Sequence, residues 1–472
     1  MSDQEKSFDY DLIVIGAGAV GENVADYAKK RGVSVAIIES ELVGGECSYW
    51  ACMPSKALLR SGHAIRAARR LAGARDAITG TIDASAVLAR RTAFTDQWKD
   101  DNQVSWLNTA GIDLIRGHGR IVGPGQVRVA GHTYSARAVA VATGSIPALP
   151  PIPGLADASP WGTREATSTD SIPPRLIIIG GGVAGTELAF AFSSLGSHVT
   201  MLSRTSLLDR EEPFVGVHVA AALADEGVDV QIGVSPALVA RDAEGTVTVA
   251  LDDGAEHEAD EVLVATGRRP STADVGLETI GLIPGAPLAV DDTMLVEGTD
   301  WLYAVGDANG RALLTHQGKY QARAAGEAIA ARLQGAAVRD EQWGQHVASA
   351  DHAAVPRVVF SDPEVAAVGL TESGARESGL RTRAVEYDLG WVAGAKLHAD
   401  HYAGRAKLVI DEDRHVIVGA TFVGQDVAEL LHSATIAIVG EVSIERLWHA
   451  VPAYPTISEV WLRLLEAYGR PR

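Results

Sequence analysis

The same glycine-rich turn, placed between a short apolar strand and a helix, occurs twice in this chain of 472 residues, and the second copy follows the first by 164 residues. The first copy joins the strand Leu12–Ile15 to Gly16–Gly21, and the second joins Leu176–Ile179 to Gly180–Gly185. Glycine in the pattern GxGxxG permits a tight turn, close approach of a pyrophosphate and close packing of the helix on the strand. The sequence therefore predicts an α/β protein with two Rossmann-like dinucleotide-binding domains. Their glycines are Gly16, Gly18 and Gly21 in the first copy and Gly180, Gly182 and Gly185 in the second.

An acidic residue completes the first copy. A predicted helix to Lys30 and a second strand, Val33–Ile38, lead to Glu39, which lies 23 residues after Gly16. A carboxylate at the end of this strand can accept hydrogen bonds from an adenosine ribose, while the helix N-terminus faces the pyrophosphate. A purely structural glycine-rich turn is the alternative, and the combination of strand, helix and terminal acid favours dinucleotide binding.

The second copy lacks that acid. Ser203 lies 23 residues after Gly180, Arg204 follows it directly, and Arg210 lies nearby. A carboxylate would repel the 2′-phosphate of NADPH, whereas a small hydroxyl and a guanidinium accommodate it. The sequence thus predicts NADPH at the second site, with a solvated surface position for Arg204 as the alternative. Two dinucleotide sites on one chain favour flavin and nicotinamide as the pair of cofactors.

Composition limits the location and partners of the chain. The 60 acidic and 41 basic residues give a net charge of −19, without a basic block, which is a poor composition for binding nucleic acid. No apolar stretch approaches the roughly 20 residues of a membrane span, and the polar N-terminus does not resemble a signal peptide. We therefore expect a cytoplasmic protein that binds neither nucleic acid nor membranes.

The chain has two cysteines, Cys47 and Cys52, which lie five positions apart shortly after Glu39. Two cysteines cannot form the disulfide framework of a secreted protein, and a zinc site needs further ligands at defined spacing. A redox-active disulfide, in contrast, can take two electrons from a reduced flavin and exchange with a substrate through a thiolate. We predict a redox disulfide and no metal site.

Taken together, these motifs resemble those of the FAD-dependent pyridine nucleotide–disulfide oxidoreductases, a family that includes dihydrolipoamide dehydrogenase, glutathione reductase and mercuric reductase. The resemblance extends over nearly the whole chain, and the cysteine motif is its most specific part. The segments that carry it are Gly16–Gly21, Cys47–Lys56, Gly180–Glu187, Ala265–Pro270, Tyr303–Asp307 and Pro455–Glu459.

The resemblance implies roles for the matching positions. Cys52 is expected to lie against the flavin as the charge-transfer thiol, and Cys47 to be the interchange thiol that meets the substrate. Lys56 and Glu187 are expected to form an ion pair close to the flavin N5 atom. The remaining cofactor contacts implied by the family are Asp307 at the ribityl chain, His316 near the pyrimidine edge, and Gly45, Thr143, Gly144, Gly267 and Gly306 in the same motifs.

Domain limits follow from proline-rich segments and from the change of pattern near residue 350. Prolines between residues 147 and 153 separate the two modules, whose last strands lead into the similar turns Val139–Gly144 and Val262–Gly267. A hairpin, Lys407–Ile410 with Val416–Ala420, and a helix, Asp426–Val439, predict an α+β domain. The expected domains are FAD-binding at 1–150 and 272–348, NAD(P)-binding at 151–271, and C-terminal dimerisation at 349–472. The family implies a homodimer.

The C-terminal motif departs from most lipoamide and glutathione reductases. Those enzymes have a histidine and a glutamate as the acid–base pair, whereas this chain has Tyr454 and Glu459. Tyrosine has a pKa near 10 and is a poor proton carrier at neutral pH, which argues against lipoamide and glutathione as substrates. Mercuric reductases share the tyrosine, but their C-terminal cysteine pair is absent here, since no cysteine follows Cys52.

The loop between the cysteines contains Tyr49 and Trp50. These rings either stack on a flat acceptor such as a quinone or pack against the first domain, and packing is favoured. We predict an NADPH oxidoreductase that reduces a small disulfide-like or thiol-reactive electrophile, or a quinone. A metal-ion reductase and a dihydrolipoamide dehydrogenase are the alternatives among enzymes, and a redox-sensing protein that binds nucleotides without turnover is the alternative outside them.

Overall fold

The structure is a computed structural model that describes residues 8–470. The described residues divide into two compact units. The first contains the residues up to Pro54 together with Thr92–Ala148 and Arg268–Asp351. The second contains Ser55–Arg91, Leu149–Gly267 and the residues from His352 onward.

The strands of the described chain follow in sequence order. They are β1 (Tyr10–Ile15), β2 (Val35–Glu39), β3 (Asp113–Arg116), β4 (Arg120–Gly123), β5 (Gln126–Val129), β6 (His132–Val141), β7 (Ser145–Pro147), β8 (Arg175–Ile179), β9 (His198–Ser203), β10 (Asp229–Ile232), β11 (Pro236–Arg241), β12 (Val247–Leu251), β13 (Glu256–Ala259), β14 (Glu261–Val264), β15 (Arg268–Pro270), β16 (Leu302–Ala304), β17 (Pro356–Val359), β18 (Glu364–Gly369), β19 (Thr382–Asp388), β20 (Arg405–Asp411) and β21 (Val416–Gly424).

The α-helices are short or of medium length. They are α1 (Ala19–Lys30), α2 (Gly45–Tyr49), α3 (Cys52–Arg69), α4 (Ala84–Phe94), α5 (Asp101–Ala110), α6 (Thr163–Ser168), α7 (Val183–Ser194), α8 (Pro213–Asp225), α9 (Thr315–Leu333), α10 (Glu372–Glu377), α11 (Ala393–His398), α12 (Leu431–Val439), α13 (Ile444–Leu447) and α14 (Val460–Tyr468).

The first unit is built on a seven-stranded sheet, and β7 and β15 form a separate two-stranded antiparallel sheet. The parallel part of the larger sheet has the order β3–β2–β1–β6–β16, and β5 and β4 extend β6 as an antiparallel meander. Strands β1 and β2 are buried on both faces for most of their length and therefore read as apolar runs. Helices α1 and α9 pack on the sheet and closely against each other. A Cβ at Gly326 of α9 would lie only 2.8 Å from the Cβ of Tyr27 in α1.

The second unit repeats this pattern and adds another sheet. The parallel strands β10–β9–β8–β14 are accompanied by the antiparallel meander β11–β12–β13. The residues after His352 form the antiparallel sheet β17–β18–β21–β20–β19, with α12 and α14 contributing to its core. The predicted α/β class, with two parallel-sheet modules and an α+β C-terminal region, is confirmed.

Most predicted elements are present, with small shifts at their ends. The hairpin of β20 and β21 is antiparallel as predicted. The second strand begins at Val35 rather than Val33, because the Ser34 amide donates to the Asp11 carboxylate and the Asp11 amide donates to the Ser34 hydroxyl. The predicted helix begins after Asp426, since this residue has a φ of 55° that an α-helix does not allow. Its first turn, Val427–Leu430, is a 3₁₀ helix.

No helix within residues 8–470 is both long and apolar enough to cross a membrane.

Candidate active site

The first glycine turn is held by Glu39. One oxygen of its carboxylate accepts the amide of Ala17 and the other accepts that of Glu41, both at 2.8 Å. Gly16 has a φ of 101°, and a Cβ at this position would lie 2.5 Å from the carbonyl oxygen of Ala142. A side chain at Gly21 would lie 1.9 Å from the Gly16 carbonyl oxygen. The turn therefore requires glycine at both places, and Glu39 is fixed at its predicted position beside it.

Polar groups around this turn fit a bound flavin dinucleotide. The Thr143 hydroxyl oxygen is buried, and within the described chain it has no hydrogen-bond partner. Gly144 has open space where a Cβ would be, at a φ of 70°. Burial raises the pKa of Asp307, and the Ser145 hydroxyl donates to its carboxylate at 2.5 Å. A large polar cofactor would form a hydrogen bond with the unpaired Thr143 hydroxyl and would lie against the open backbone at Gly144.

The two cysteines lie together at the start of consecutive helices. Cys47 is in α2 and Cys52 begins α3, and no disulfide joins them in this structure. A hydrogen bond with Cys52, followed by burial, raises the pKa of the Cys47 thiol. The Sγ of Cys52 lies 3.4 Å from the hydroxyl of Thr315. The pair can therefore carry a single negative charge more easily than two, with the Thr315 hydroxyl placed to stabilise it.

Thr315 and Glu46 are two contacts that the sequence did not single out. Thr315 begins α9, and His316, whose side chain is exposed, follows it. Glu46 precedes Cys47 and forms an ion pair of 2.6 Å with Arg268, whose Nε donates to the hydroxyl of Ser145. The sequence offered one indication of each: Thr315 directly precedes His316, and Glu46 directly precedes Cys47, and both of these neighbours are predicted site residues. Gly306, another predicted cofactor residue, is buried at the turn before α9.

Lys56 and Glu187 meet within the second unit. The Lys56 ammonium donates to one carboxylate oxygen of Glu187 at 2.7 Å. The backbone amide of Phe360 donates to the other oxygen at 3.0 Å, and its ring lies 4.9 Å from the Lys56 ammonium. Glu187 is 4% exposed. The structure therefore brings the predicted pair together and adds Phe360, which contacts both partners.

The second glycine turn has the same construction as the first. A Cβ at Gly180 would lie 2.5 Å from the carbonyl oxygen of Ala265, and one at Gly185 would lie 2.2 Å from that of Gly180. Gly182 and Gly267, in contrast, have open space around them. The backbone next to α7 is thus accessible to a ligand, as the predicted nicotinamide site requires.

The residues predicted to select NADPH lie after β9. Ser203 is buried, and its hydroxyl donates to the carbonyl oxygen of Thr205 at 2.8 Å. The side chains of Arg204 and Arg210 are exposed. Both guanidinium groups are therefore free to move toward a phosphate, whereas the Ser203 hydroxyl already has an acceptor.

Tyr454 and Glu459 are not joined by a hydrogen bond within the described residues. The Tyr454 side chain is 74% exposed. Glu459 is buried, and one of its oxygens accepts a hydrogen bond of 2.6 Å from Arg463. Its second oxygen is buried and has no partner within the described chain. The structure thus separates the predicted pair into an exposed phenol and a buried carboxylate.

Tyr49 and Trp50 have different surroundings. Tyr49 is 1% exposed, and its hydroxyl donates to the Lys99 carbonyl oxygen at 3.2 Å. Trp50 is half-buried, with its ring centroid 5.6 Å from that of Tyr49. Tyr49 is therefore a packing residue and not a stacking platform for a quinone. Within residues 8–470, no group of three or more His, Cys, Asp or Glu side chains is placed to hold a metal ion.

Comparison with known proteins adds the family context. The family model for pyridine nucleotide-disulphide oxidoreductases matches residues 10–331, and the model for their dimerisation domain matches residues 355–464. The mercuric reductase of Shigella flexneri is 33% identical over 463 residues, which cover 95% of this chain and 79% of that protein. The glutathione reductase of Burkholderia cepacia is 31% identical, and the match covers 97% of this chain and 99% of that protein.

A solved structure is similar over nearly the whole chain. The HOCl-induced flavoprotein disulfide reductase RclA from Escherichia coli superimposes with a TM-score of 0.82 at 25% sequence identity. The superposition covers 97% of this chain and 99% of RclA.

Proposed function

Because the chain belongs to the FAD-dependent pyridine nucleotide–disulfide oxidoreductase family, we propose that it transfers electrons from NADPH to the Cys47–Cys52 disulfide and on to a small acceptor. The enzyme class, an NAD(P)H-dependent flavoprotein oxidoreductase, is that of the family. The proposed acceptor is a disulfide-like or thiol-reactive electrophile.

The placement of the two thiols is the observation that carries this proposal. Cys47 is hydrogen-bonded to Cys52, and Thr315 contacts Cys52. Reduction of their disulfide by one NADPH and one proton yields two thiols and NADP⁺, so atoms and electrons balance. Bound FAD would supply the two-electron relay between the nicotinamide and the cysteine pair. Cys47, as the interchange thiol, would attack the acceptor, while Cys52 would hold the charge.

Other side chains are proposed to bind and orient the cofactors. Lys56, fixed by Glu187 and Phe360, would direct a positive charge toward the flavin ring. Glu39 would face the adenosine ribose through its position at the first glycine turn. Asp307, Thr143 and the backbone of Gly144, with Gly45, Gly306 and His316, would line the remaining length of the FAD.

NADPH is the proposed donor because of the residues after β9. The exposed Arg204 and Arg210 can each make a charge-assisted hydrogen bond to a 2′-phosphate. No carboxylate stands at the position of Ser203, where NAD-selective sites have one. Ser203 would contribute its small size rather than a donated hydrogen bond, since its hydroxyl is engaged with Thr205.

The similarity to mercuric reductases favours a second candidate, the reduction of a thiol-reactive metal ion. Cys47 and Cys52 are thiol ligands of the kind that soft metal ions prefer. This chain spans 79% of the matched mercuric reductase, and no cysteine follows Cys52 to deliver a metal. Of the two rings between the cysteines, Trp50 alone could stack on a quinone, since Tyr49 is buried.

We also propose the limits of three domains and a homodimeric assembly. The FAD-binding domain would comprise residues 1–150 and 272–348, the NAD(P)-binding domain 151–271 and the dimerisation domain 349–472. The match of residues 355–464 to a dimerisation domain supports a homodimer, in which Glu459 would reach the cysteines of the other subunit.

The proposal is tested by reducing the FAD-loaded enzyme with NADPH under anaerobic conditions and adding acceptors one at a time. Disulfides, thiol-reactive electrophiles, Hg²⁺ and quinones form the panel, and the reoxidation rate is the measurement. Rapid reoxidation by a disulfide-like compound that disappears in the Cys47→Ser variant supports the proposal. Reoxidation that survives Cys47→Ser, or that occurs with quinones alone, contradicts it.

A further inference from the structure

Three consecutive residues close to the cysteine pair adopt left-handed backbone conformations. Asp96, Gln97 and Trp98 have φ values of 48°, 55° and 56°, in a region that L-residues seldom enter even singly. A run of three requires surrounding contacts that hold it in place. The turn therefore fixes the direction of the backbone that follows it.

The last residue of this turn, Trp98, and the two residues that follow it contact both ends of helix α2, which contains Cys47. The Trp98 indole N–H donates to the carbonyl oxygen of Tyr49 at 3.2 Å, and the Tyr49 hydroxyl donates to the carbonyl oxygen of Lys99 at 3.2 Å. At the other end, the Asp100 carboxylate accepts the amide of Val43 at 2.8 Å. These three bonds bracket the helix, Gly45–Tyr49, from before its first residue to its last.

We call the segment Trp98–Asp100 the strap, and Arg116 holds this segment in place. Arg116 donates to the same oxygen of Asp100 at 2.6 Å and, through its other nitrogen, to the carbonyl oxygen of Glu41. Tyr49 is almost fully buried, so its hydroxyl bond is shielded from water and from competition by it. Because every one of these groups lies in the first unit, the arrangement belongs to the same compact body as both cysteines.

We propose that the strap Trp98–Asp100 positions Cys47 opposite Cys52 and thereby sets the thiol–disulfide equilibrium of the pair. The inference rests on the proposed redox role of these cysteines. A disulfide requires its two Cβ atoms to lie within about 3.5–4.5 Å of each other. Holding α2 in register with the start of α3 removes freedom from the dithiol and favours the disulfide. Tyr49 and Trp98 are positioning residues, since their side chains act through the backbone that carries Cys47.

The test equilibrates the FAD-loaded enzyme with mixtures of reduced and oxidised dithiothreitol and counts thiols after acid quenching and labelling. In this exchange the two enzyme thiols lose two electrons and two protons to form the S–S bond, and oxidised dithiothreitol takes them up. Tyr49→Phe removes the hydroxyl donor and keeps the ring, whereas Trp98→Phe removes the indole N–H donor and leaves a smaller aromatic ring in its place. Trp106→Phe, at a partly exposed tryptophan of α5 outside the strap, is the matched control.

Tyr49→Phe and Trp98→Phe are each expected to shift the thiol–disulfide equilibrium of the cysteine pair about tenfold toward the dithiol, which corresponds to about 30 mV. The double variant should shift it further. The control is expected to match the wild type. A merely structural loss would lower the melting temperature and leave the equilibrium unchanged, so that outcome, in variants that fold and bind FAD, overturns the inference. A wild-type pair that never forms a disulfide contradicts the proposed function instead, and therefore the two failures are distinguishable.

Discussion

The ammonium of Lys56 lies 2.7 Å from the carboxylate of Glu187, although 131 residues of sequence separate them. The carboxylate is buried and the ammonium side chain is 35% exposed, which leaves one end of the pair open to a ligand. Phe360 satisfies the second carboxylate oxygen through its amide. A buried, fully bonded glutamate of this kind fixes the direction in which the lysine charge points.

Removing the lysine charge is expected to destabilise the protein more than removing both charges. Lys56→Met leaves a buried carboxylate without its cation and should cost about 1–3 kcal/mol, below the value for fully buried pairs because Lys56 is partly exposed. Glu187→Gln keeps an oxygen for the Phe360 amide, and the double variant Lys56→Met/Glu187→Gln should recover part of the loss. Urea unfolding of the four proteins measures this coupling. Strictly additive changes would contradict it.

Selection of NADPH is expected to depend on Arg204. Losing a charge-assisted hydrogen bond to the 2′-phosphate costs about 1.5–3 kcal/mol, so Arg204→Ala should lower kcat/KM for NADPH roughly 10- to 100-fold and leave that for NADH nearly unchanged. Steady-state kinetics with both donors is the measurement. Arg128→Ala, at an exposed arginine of β5, is the control. A wild-type enzyme that prefers NADH would show that the assignment of this site is wrong.

The raised pKa of Cys47 predicts a slow reaction with alkylating agents near neutrality. Thiolate is the reactive form, so the rate of iodoacetamide labelling of the reduced enzyme should climb about tenfold per pH unit, without a plateau below about pH 9. Cys52→Ala removes the first cause of the shift, so it should lower the pKa of Cys47 and accelerate its labelling at pH 7.5, although burial continues to raise that pKa. Peptide mass analysis identifies the labelled cysteine. A plateau below pH 8 in the wild type would be inconsistent with this picture.

The glycine turns and the cysteine pair could be predicted because each is a local motif, and the Lys56–Glu187 pair could be predicted because the family resemblance implies it. Phe360 could not, since it acts through a backbone amide that is brought to Glu187 by the fold of the second unit. The partners of Cys52 and Glu46 were missed for the same reason: Thr315 and Arg268 are distant in sequence and ordinary in type. Tyr49 is hydrogen-bonded to Trp98 and Lys99 at the left-handed turn of residues 96–98, and no sequence pattern predicts this turn.

Tyr454 is expected to limit exchange with disulfide substrates. Its phenol is exposed, and within the described residues no hydrogen bond joins it to Glu459, whereas proton transfer near neutral pH is ordinarily carried by a histidine. Positioned acid–base catalysis contributes about 10²–10⁴-fold, so lipoamide and glutathione disulfide should turn over more slowly than in histidine-bearing relatives by about that factor. Tyr454→His should raise the rate, with Tyr454→Phe as the control for the hydroxyl. Rapid lipoamide reduction by the wild type would show that another base serves.

Electron transfer from NADPH to the Cys47–Cys52 disulfide is tested by an anaerobic titration of the FAD-loaded enzyme with NADPH, followed by both absorbance and thiol counting. We expect two new thiols to appear together with a long-wavelength absorbance band. Cys52→Ser should abolish the band, and Cys47→Ser should show it without any reductant. Flavin reduction that produces no new thiols and no such band, in an enzyme whose Cys47 and Cys52 remain unpaired under air, would contradict this electron transfer.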